Sequence, residues 1–316
     1  MNTARHIAHT HPGTWPEMRP GRFAETIRES PDGCAIALLG LADDTGVRLN
    51  HGRPGAAEGP TAFRAALAAL GTRFDGVRRT PLDVAVFDAG DVLPALGYDA
   101  AALFETHARV AAAAQQLHEL GLIVVGIGGG HDLSLPAISA LSMHVAAPVG
   151  GVNLDAHLDV RESVGSGMPF RRLIEGGWLD PKRFVELGLG RFANEQADFE
   201  WLERHGARLV MAEEVHKSGV RASGLFAQAL GSGTGFVSID LDGLDASVAP
   251  GVSAQNPLGL SLRDAAELAE AAGRDQRVRH FDMMELCPPH DAGTRTARAA
   301  AYLFLAFVAG FRQRPR

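Results

Sequence analysis

Residues 152–162 read VNLDAHLDVRE, an apolar segment that runs directly into charged residues. Asp155, His157 and Asp159 stand at every second position of it. In extended backbone, residues i, i+2 and i+4 point to one side, so these three side chains can converge on one point. The segment therefore predicts a buried strand that ends in a cluster of metal-ligand side chains.

Short β-rich apolar segments of this kind recur along the whole chain. They cover residues 34–41, 82–90, 122–128, 149–156, 184–190, 207–214, 234–242 and 278–286. Longer Ala-, Leu- and Glu-rich segments of helical period lie between them. This alternation is typical of βαβ units and predicts an α/β protein with a parallel sheet. Because no linker and no repeat divides the chain, we expect one domain over residues 34–316, preceded by a Pro- and His-rich N-terminal arm, residues 1–33.

Composition narrows the class of partner. The chain has 316 residues, of which 46% are hydrophobic, enough for a large core. Thirty basic against 37 acidic residues give a net charge of −7, which offers no basic field for nucleic acid and no polybasic patch for a membrane. A small molecule is therefore the expected partner.

Three further features concern location. The N-terminus lacks the apolar core of a signal peptide, and the C-terminal run AAAYLFLAFVAGF is too short to span a bilayer. We interpret that run as a buried last helix. The two cysteines, Cys34 and Cys287, both lie in apolar segments. A disulfide framework is not expected, and the composition fits a cytoplasmic protein.

Two other predicted strands also end in potential metal ligands. GIGGGHD, residues 126–132, places His131 after three glycines, and SIDLDGLD, residues 238–245, contributes Asp240 and Asp242. Ligands of open parallel sheets bind beyond the carboxyl ends of the strands. One such Asp or His alone would more commonly cap a helix or hold a turn. Two alternating clusters together with a Gly-flanked His favour a metal site instead.

The number of these side chains suits two ions. Four carboxylates packed together would raise one another's pKa unless a cation lay among them. An oxygen-rich shell with some imidazole favours Mn²⁺, with Zn²⁺, Fe²⁺ or Co²⁺ as substitutes. Two such metals can share and deprotonate a water, so the implied chemistry is hydrolysis. We interpret the glycines 128–130 as a tight turn rather than a phosphate loop, because no Lys-Ser/Thr follows them.

The chain resembles the ureohydrolase family of arginases, agmatinases and formimidoylglutamases from about residue 45 to its C-terminus. The matching segments are GVRLNHGRPGAAEGPTAFRAAL, DAGD, GIGGGHD, NLDAHLDVR, SIDLDGLDASVAPGVSAQNPLGLS and DMMELCPPHDAGTRTARAAA. The resemblance implies a three-layer α/β/α fold around a parallel sheet of roughly eight strands, a binuclear manganese site with two Mn²⁺ per chain, and assembly as trimers or hexamers.

The resemblance also assigns roles to residues. It implies that one metal is held by His131, Asp155, Asp159 and Asp240, and the other by Asp155, His157, Asp240 and Asp242. Glu285, near the end of the last strand, would bind the cationic amidine or guanidine of the substrate. An alternative for Glu285 is a cap of the following segment. For the proton that the departing amine needs, Asp240 is our candidate.

Within the family, the chain is most similar to the formimidoylglutamases. It has GGGHD where arginases and agmatinases carry GGDH or GGEH, and SGMPF at 166–170 without their histidine. GRFAN at 190–194 and RTARAAA at 295–301 also match formimidoylglutamase segments. Asp132 stands where Glu is usual, and VGSGMPF where SSGTPF is usual. The expected reaction is hydrolysis of N-formimidoyl-L-glutamate to L-glutamate and formamide, in histidine degradation.

This substrate has two carboxylates, and an arginine fork binds a carboxylate bidentately. Arg161 and Arg191, which follow predicted strand ends, and Asn194 are our candidates for that contact; structural salt bridges are the alternative for the two arginines. Two other functions stay open. One is hydrolysis of another guanidino or amidino compound, as in agmatinase, guanidinobutyrase or arginase. The other is a non-catalytic metal-binding protein of the same fold.

Overall fold

The computed structural model describes residues 6–315. Its strands are β1 (Thr10–His11), β2 (Ile27–Arg28), β3 (Ile36–Leu41), β4 (Phe74–Asp75), β5 (Thr80–Pro81), β6 (Val86–Val92), β7 (Ile123–Gly128), β8 (Val149–Leu154), β9 (Leu179–Leu189), β10 (Arg208–Met211), β11 (Gly235–Asp240) and β12 (Val278–Met284). Its α-helices are α1 (Thr45–Leu49), α2 (Gly59–Ala69), α3 (Ala100–Glu119), α4 (Ser134–Val145), α5 (Pro169–Glu175), α6 (Gln196–His205), α7 (Ala212–Ser218), α8 (Ala222–Leu230), α9 (Leu262–Arg274) and α10 (Arg295–Phe311).

Eight parallel strands form the body of the sheet, in the order β6-β3-β7-β12-β11-β8-β9-β10. The short strand β1 adds to one edge, antiparallel to β6, and β2 also pairs with β6. Strands β4 and β5 form a separate hairpin. All eight predicted strands are present, and the predicted α/β architecture is confirmed.

Helices cover both faces of the sheet. Buried apolar residues of α2, α8, α9 and α10 form one core cluster with the sheet, and those of α3, α4 and α5 pack on the other face. The central strands are buried along their whole length, as expected for a parallel sheet between two helical layers. Helix α10 buries Leu303, Phe304 and Phe307, which confirms the predicted buried last helix.

One predicted strand is shorter than expected. The sequence predicts an extended segment over 207–214, but β10 ends at Met211 and α7 begins at Ala212. The Glu214 carboxylate accepts a hydrogen bond from the Met211 backbone N–H at 3.3 Å, which closes the first turn of the helix. The acidic residues therefore start a helix there rather than extend the strand.

The N-terminal residues that the structure describes lie against the β6 edge of the sheet. Ile7 and Phe23 are buried in the core, and Thr10 pairs with Val92. The Trp15 indole N–H donates to Asp88 at 2.6 Å. Residues 1–5 of the predicted arm lie outside the described residues. No helix within residues 6–315 combines the length and apolar character needed to cross a membrane.

Candidate metal centre

The candidate ligands lie at the carboxyl ends of three of the four central strands β7, β12, β11 and β8. His131 follows β7, Asp155 follows β8, and Asp240 ends β11. Strands β12 and β11, late in the chain, lie between β7 and β8. Open α/β sheets bind ligands beyond the carboxyl ends of their strands, next to such a change in strand order.

The first group of ligand atoms surrounds the His131 ring. Its Nδ1 lies 3.2 Å from Asp155 Oδ2, 2.9 Å from Asp159 Oδ2 and 3.1 Å from Asp240 Oδ2. The His131 ring is buried, as are the carboxylates of Asp155 and Asp240. These four residues are the set that the family resemblance implies for one ion, and their ligand atoms lie within 4.8 Å of one another.

The second group surrounds His157 and shares Asp155 with the first. His157 Nδ1 lies 3.4 Å from Asp155 Oδ1 and 3.3 Å from Asp242 Oδ2. Asp155 therefore presents one oxygen to each group, the geometry of a bridging carboxylate. Asp240 lies close to the ligand atoms of the first group only, so its bridging role stays a prediction.

Local backbone geometry explains how two short motifs present these side chains. Asp155 Oδ1 accepts a hydrogen bond from the His157 N–H at 2.7 Å, and Asp240 Oδ1 accepts one from the Asp242 N–H at 2.8 Å. Both motifs thus turn away from the sheet directly after an aspartate that caps the turn. Asp159 has a φ of 47°, a left-handed conformation that favours Gly over Asp.

The glycines before His131 form the tight turn that the sequence predicts. The N–H groups of Gly129 and Gly130 donate to the carbonyls of Leu41 and Asp43, each at 3.0 Å. A Cβ at Gly129 would overlap both of those carbonyl oxygens. Only glycine fits this approach between the ends of β7 and β3, so the turn holds His131 in place.

The electrostatics of the cluster fit a bound cation. Burial raises the pKa of Asp242 to about 7, and the charge of Asp155 adds to the rise. Burial, followed by the charges of Asp242 and Asp155, also raises the pKa of Asp240. Burial opposes ionisation of Asp155 too, but the adjacent His131 and His157 rings hold its pKa low. Metal ions would replace the protons that otherwise neutralise this cluster.

The donor atoms test the fit more directly. His131 Nδ1 and Asp242 Oδ1 are buried and have no hydrogen-bond partner. Imidazole nitrogens and carboxylate oxygens alone make up both groups. An unpartnered ring nitrogen that faces three carboxylate oxygens suits a divalent ion, and a shell of this type suits Mn²⁺. The residues present therefore fit a pair of such ions.

A series of buried, hydrogen-bonded polar side chains supports the His131 ring. Its Nε2 lies 3.0 Å from Ser238 Oγ, and Ser238 donates to Asp282 Oδ1. Asp282 Oδ2 accepts from Ser134 Oγ at 2.8 Å and lies 2.8 Å from His280 Nε2. Partners of this type set the ring orientation of a metal-ligating histidine.

Glu285 lies directly beside the first group. It has a φ of 64°, a left-handed conformation at the end of β12. Its Oε1 accepts a hydrogen bond from the His131 backbone N–H at 2.9 Å, while its Oε2 is buried without a partner. Burial and the charge of Asp240 raise its pKa well above the usual range. A cationic group at Oε2 would satisfy both the free oxygen and the charge.

The candidate substrate-binding residues lie in the surrounding loops. Arg161 and Arg191 are exposed, and neither forms a salt bridge within the described part of the chain. The Arg161 side chain packs on Gly167 of the SGMPF segment, and the Arg161 backbone N–H donates to the Gly167 carbonyl at 2.9 Å. Asn194 accepts from the Leu158 N–H at 2.8 Å and donates to the Ala156 carbonyl at 2.9 Å. Asn194 thus braces the DAHLD loop, and a substrate contact from any of the three stays a prediction.

Asp132, which stands where the resemblance leads us to expect Glu, has its own partner. Its Oδ2 lies 2.7 Å from Nε2 of His107 on α3, and both residues are buried. His107 therefore has a structural, hydrogen-bonded role. The shorter aspartate is held by a histidine that reaches in from the neighbouring helix.

Sequence reasoning missed the supporting residues beneath the ligands. Asn153, Glu186, Ser238 and Asp282 are each fully buried within a strand of the sheet. Two of them did leave a signal, because Asn153 and Ser238 lie two positions before Asp155 and Asp240. Side chains two apart on a strand share a face. A polar residue inside an apolar strand, two before a ligand, is therefore a marker of such support.

Comparison with known proteins bears on this site. The model of the arginase family matches residues 34–310. A formimidoylglutamase of Ralstonia nicotianae is 34% identical over 308 residues, covering 92% of this chain and 90% of that protein. The human mitochondrial guanidino acid hydrolase is 32% identical over 284 residues, and this match covers 88% of this chain and 78% of that protein.

A solved structure is similar over the same range. The crystal structure of Trypanosoma cruzi formiminoglutamase with two Mn²⁺ superposes with a TM-score of 0.85 at 33% sequence identity. The superposition covers 91% of this chain and 97% of that one. The family match and the structural similarity therefore both extend over nearly the whole chain.

Proposed function

This chain belongs to the arginase family, and we propose that it hydrolyses N-formimidoyl-L-glutamate to L-glutamate and formamide with two Mn²⁺ ions as cofactor. The observation that carries the proposal is the pair of ligand groups that share Asp155 at the central strand ends. The similarity to formimidoylglutamases over about nine tenths of the chain supports the substrate. The protein is thus a metal-dependent C–N hydrolase that acts on a linear amidine.

Six side chains would hold the ions. His131, Asp155, Asp159 and Asp240 would hold one, and Asp155, His157, Asp240 and Asp242 the other. When bound, the two ions supply a hydroxide nucleophile near neutral pH and neutralise the carboxylates around them. The Ser238 and Asp282 side chains keep the His131 ring directed at its carboxylate partners.

Glu285 binds the reacting group. Its Oε1 is fixed by the His131 N–H, so its free Oε2 faces the substrate. A formimidoyl group is an amidine and is cationic when protonated, and a charge-assisted hydrogen bond to Oε2 would orient its carbon toward the nucleophile. The left-handed backbone at Glu285 turns this carboxylate toward the cluster.

Asp240 is our proposal for the proton transfer. Its Oδ1 is committed to the Asp242 N–H, which leaves Oδ2 on the cluster side. In the reaction, the water oxygen adds to the formimidoyl carbon and the bond from that carbon to the glutamate nitrogen breaks. With hydroxide as nucleophile and a protonated amidine, Asp240 Oδ2 would take the proton that remains on the added oxygen and pass it to that nitrogen, so that formamide and the glutamate amine are the products.

The two carboxylates of the substrate need cations at the mouth of the site. Arg161 and Arg191 are exposed and make no ion pair in residues 6–315, so both guanidinium groups are available. Asn194 follows Arg191 on the same loop, and its amide holds the DAHLD segment. We assign the carboxylate contacts to these three residues.

The cellular setting follows from the same assignment. The reaction is a step of histidine degradation, and two free cysteines accord with a cytoplasmic location. Assembly as a trimer or hexamer is the family expectation, and sedimentation of the purified protein tests it.

Product analysis tests the proposed function. Mn²⁺-loaded protein would be incubated with N-formimidoyl-L-glutamate, L-arginine, agmatine and 4-guanidinobutyrate, with a chelated sample as control. Glutamate and formamide from the first substrate alone, lost on chelation, are expected. Urea from a guanidino compound with formimidoylglutamate untouched would instead favour the guanidino hydrolases, to which the chain is also similar. No stoichiometric metal after growth with manganese would favour a non-catalytic protein.

A further inference from the structure

A row of polar side chains crosses the sheet directly beneath the candidate metal centre. Its members are Glu186 on β9, Asn153 on β8, Ser238 on β11 and Asp282 on β12, which are register neighbours on adjacent strands. All four are fully buried. Burying polar groups is costly unless they are hydrogen-bonded, so this row needs a reason.

The row contacts the cluster of ligands at two residues, His131 and Asp155. Ser238 and Asp282 support His131, as described above. On the other side, the Asn153 amide donates to Glu186 Oε2 at 2.9 Å and also points at Asp155 Oδ2, 3.4 Å away. Asp155 is the residue that both ligand groups share. The Asn153 amide therefore contacts the most central carboxylate of the site.

We propose that Glu186 is a positioning residue for the metal centre, because it holds the Asn153 amide with its NH₂ group toward the Asp155 carboxylate. This inference rests on the proposed function. An asparagine side chain can rotate by half a turn with little change in shape. The rotated amide would present its oxygen to Asp155, and two acceptors would then face each other in a buried site. The hydrogen bond to Glu186 selects the other orientation.

The surroundings of Glu186 leave it no other evident role. No charged side chain forms a salt bridge with it within the described residues, and its Oε1 has no partner. Burial raises its pKa well above the usual range, and the charge of Asp155 adds to the rise. The geometry requires a side chain whose oxygen accepts the Asn153 hydrogen bond. Glutamine has that property and nearly the same shape.

The test compares manganese binding in four proteins. Glu186→Leu removes the acceptor, Glu186→Gln retains it, and the wild type is the reference. Thr26→Val is the matched control, since Thr26 is also buried and its hydroxyl donates one hydrogen bond, to the Phe23 carbonyl, in the N-terminal segment. Dissociation constants for Mn²⁺ would be measured by calorimetry on metal-free protein, and the manganese EPR spectrum would report the paired ions.

The expected result is a loss of affinity in Glu186→Leu of about 10- to 100-fold, the usual cost of losing a partner of a metal ligand. Glu186→Gln should stay within about threefold of the wild type, because the orienting hydrogen bond remains. Thr26→Val should bind manganese normally even if its Tm falls. Wild-type affinity and spectrum in folded Glu186→Leu would overturn the inference, and so would equal losses in Glu186→Gln and Glu186→Leu.

A second variant keeps the inference testable if Glu186→Leu does not fold. Asn153→Ala removes the same link from its other end. Asn153→Ala should weaken manganese binding by itself. If Glu186 acts through Asn153, adding Glu186→Gln should change manganese affinity negligibly, both in the wild type and in Asn153→Ala. Unchanged binding in Asn153→Ala would overturn the inference. A wild-type protein that binds no manganese would contradict the proposed function instead.

Discussion

Glu285 and His131 are joined by a hydrogen bond in which the His131 backbone N–H donates to Glu285 Oε1 at 2.9 Å. The Glu285 N–H in turn donates to the Gly129 carbonyl at 2.8 Å. The end of β12 is thereby tied to the turn that carries a candidate metal ligand. The carboxylate proposed to bind substrate and the histidine proposed to bind metal are thus held at a set distance, which favours orientation of the substrate before reaction.

Glu285→Gln should lower kcat/KM while manganese binding persists. The glutamine oxygen can still accept the His131 hydrogen bond, but its NH₂ group would face the cationic amidine. Loss of a hydrogen bond to a charged group predicts a decrease of about 10- to 100-fold. Steady-state kinetics with a parallel manganese titration would measure it. An unchanged kcat/KM would remove Glu285 from substrate binding, whereas lost manganese would place its role in the metal centre.

Asp155→Ala should lose both ions together with activity. Asp155 presents one oxygen to each ligand group, so its removal weakens both. His157→Ala is the informative comparison, because His157 belongs to one group only and the other ion should remain. Metal content after gel filtration would be measured by atomic absorption. Normal metal and full activity in Asp155→Ala would contradict the bridging geometry.

Arg64→Met should destabilise the fold and leave manganese binding intact. Arg64 is only 2% exposed and contacts Asp88 through two hydrogen bonds of 2.9 Å and Asp91 through one of 2.6 Å. Breaking a buried ion pair from one side costs about 3–5 kcal/mol. Urea unfolding would measure the change in the free energy of unfolding.

The matched control for Arg64 is Arg73→Met. Arg73 pairs with Asp83 at the surface, with side chains 45% and 53% exposed. An exposed pair of this type contributes less than about 1 kcal/mol. Equal losses in the two variants would show that the buried ion pair with Asp88 and Asp91 does not hold the β6 edge.

His118 should make the protein sensitive to acid. Burial lowers its pKa to about 3, and the neighbouring charges of His280, His144 and Arg279 add to this. An unfolded histidine has a pKa of about 6.5. Between these two values the unfolded state binds a proton that the folded state does not. The stabilising contribution is therefore present above about pH 6.5 and is lost as the pH falls toward 3, by at most about 1.4 kcal/mol per pH unit.

His118→Leu tests this sensitivity. Urea unfolding at about pH 7 and about pH 5 should show a smaller difference in the variant than in the wild type. His9→Asn is the control, because His9 is an exposed histidine of the N-terminal segment and should leave the difference unchanged. An identical pH dependence in the wild type and His118→Leu would rule out His118 as its source.

Much of the architecture could be predicted because strand signals are local. The eight apolar segments form the strands of the parallel sheet. They could be predicted because each alternates with a segment of helical pattern. The strand β1, only two residues long, was not predicted, because its partner β6 lies about eighty residues along the chain. The boundary at Met211 also escaped prediction, since it depends on a single hydrogen bond from the Met211 N–H to the Glu214 carboxylate.

For the candidate site, the sequence alone determined which residue types occur and at what spacing. The spacing of Asp155, His157 and Asp159 can be read from the sequence, but β8 ends at Leu154 and Asp159 has a φ of 47°, so a turn and not a continued strand presents these side chains. Only the tertiary structure decided that β12 and β11 lie between β7 and β8, and so that Asp240 and Glu285 meet His131. The same pairing of distant strands aligns Glu186 with Asn153. Spacing along a strand follows from local backbone geometry, whereas these contacts depend on the register between strands, which long-range packing determines.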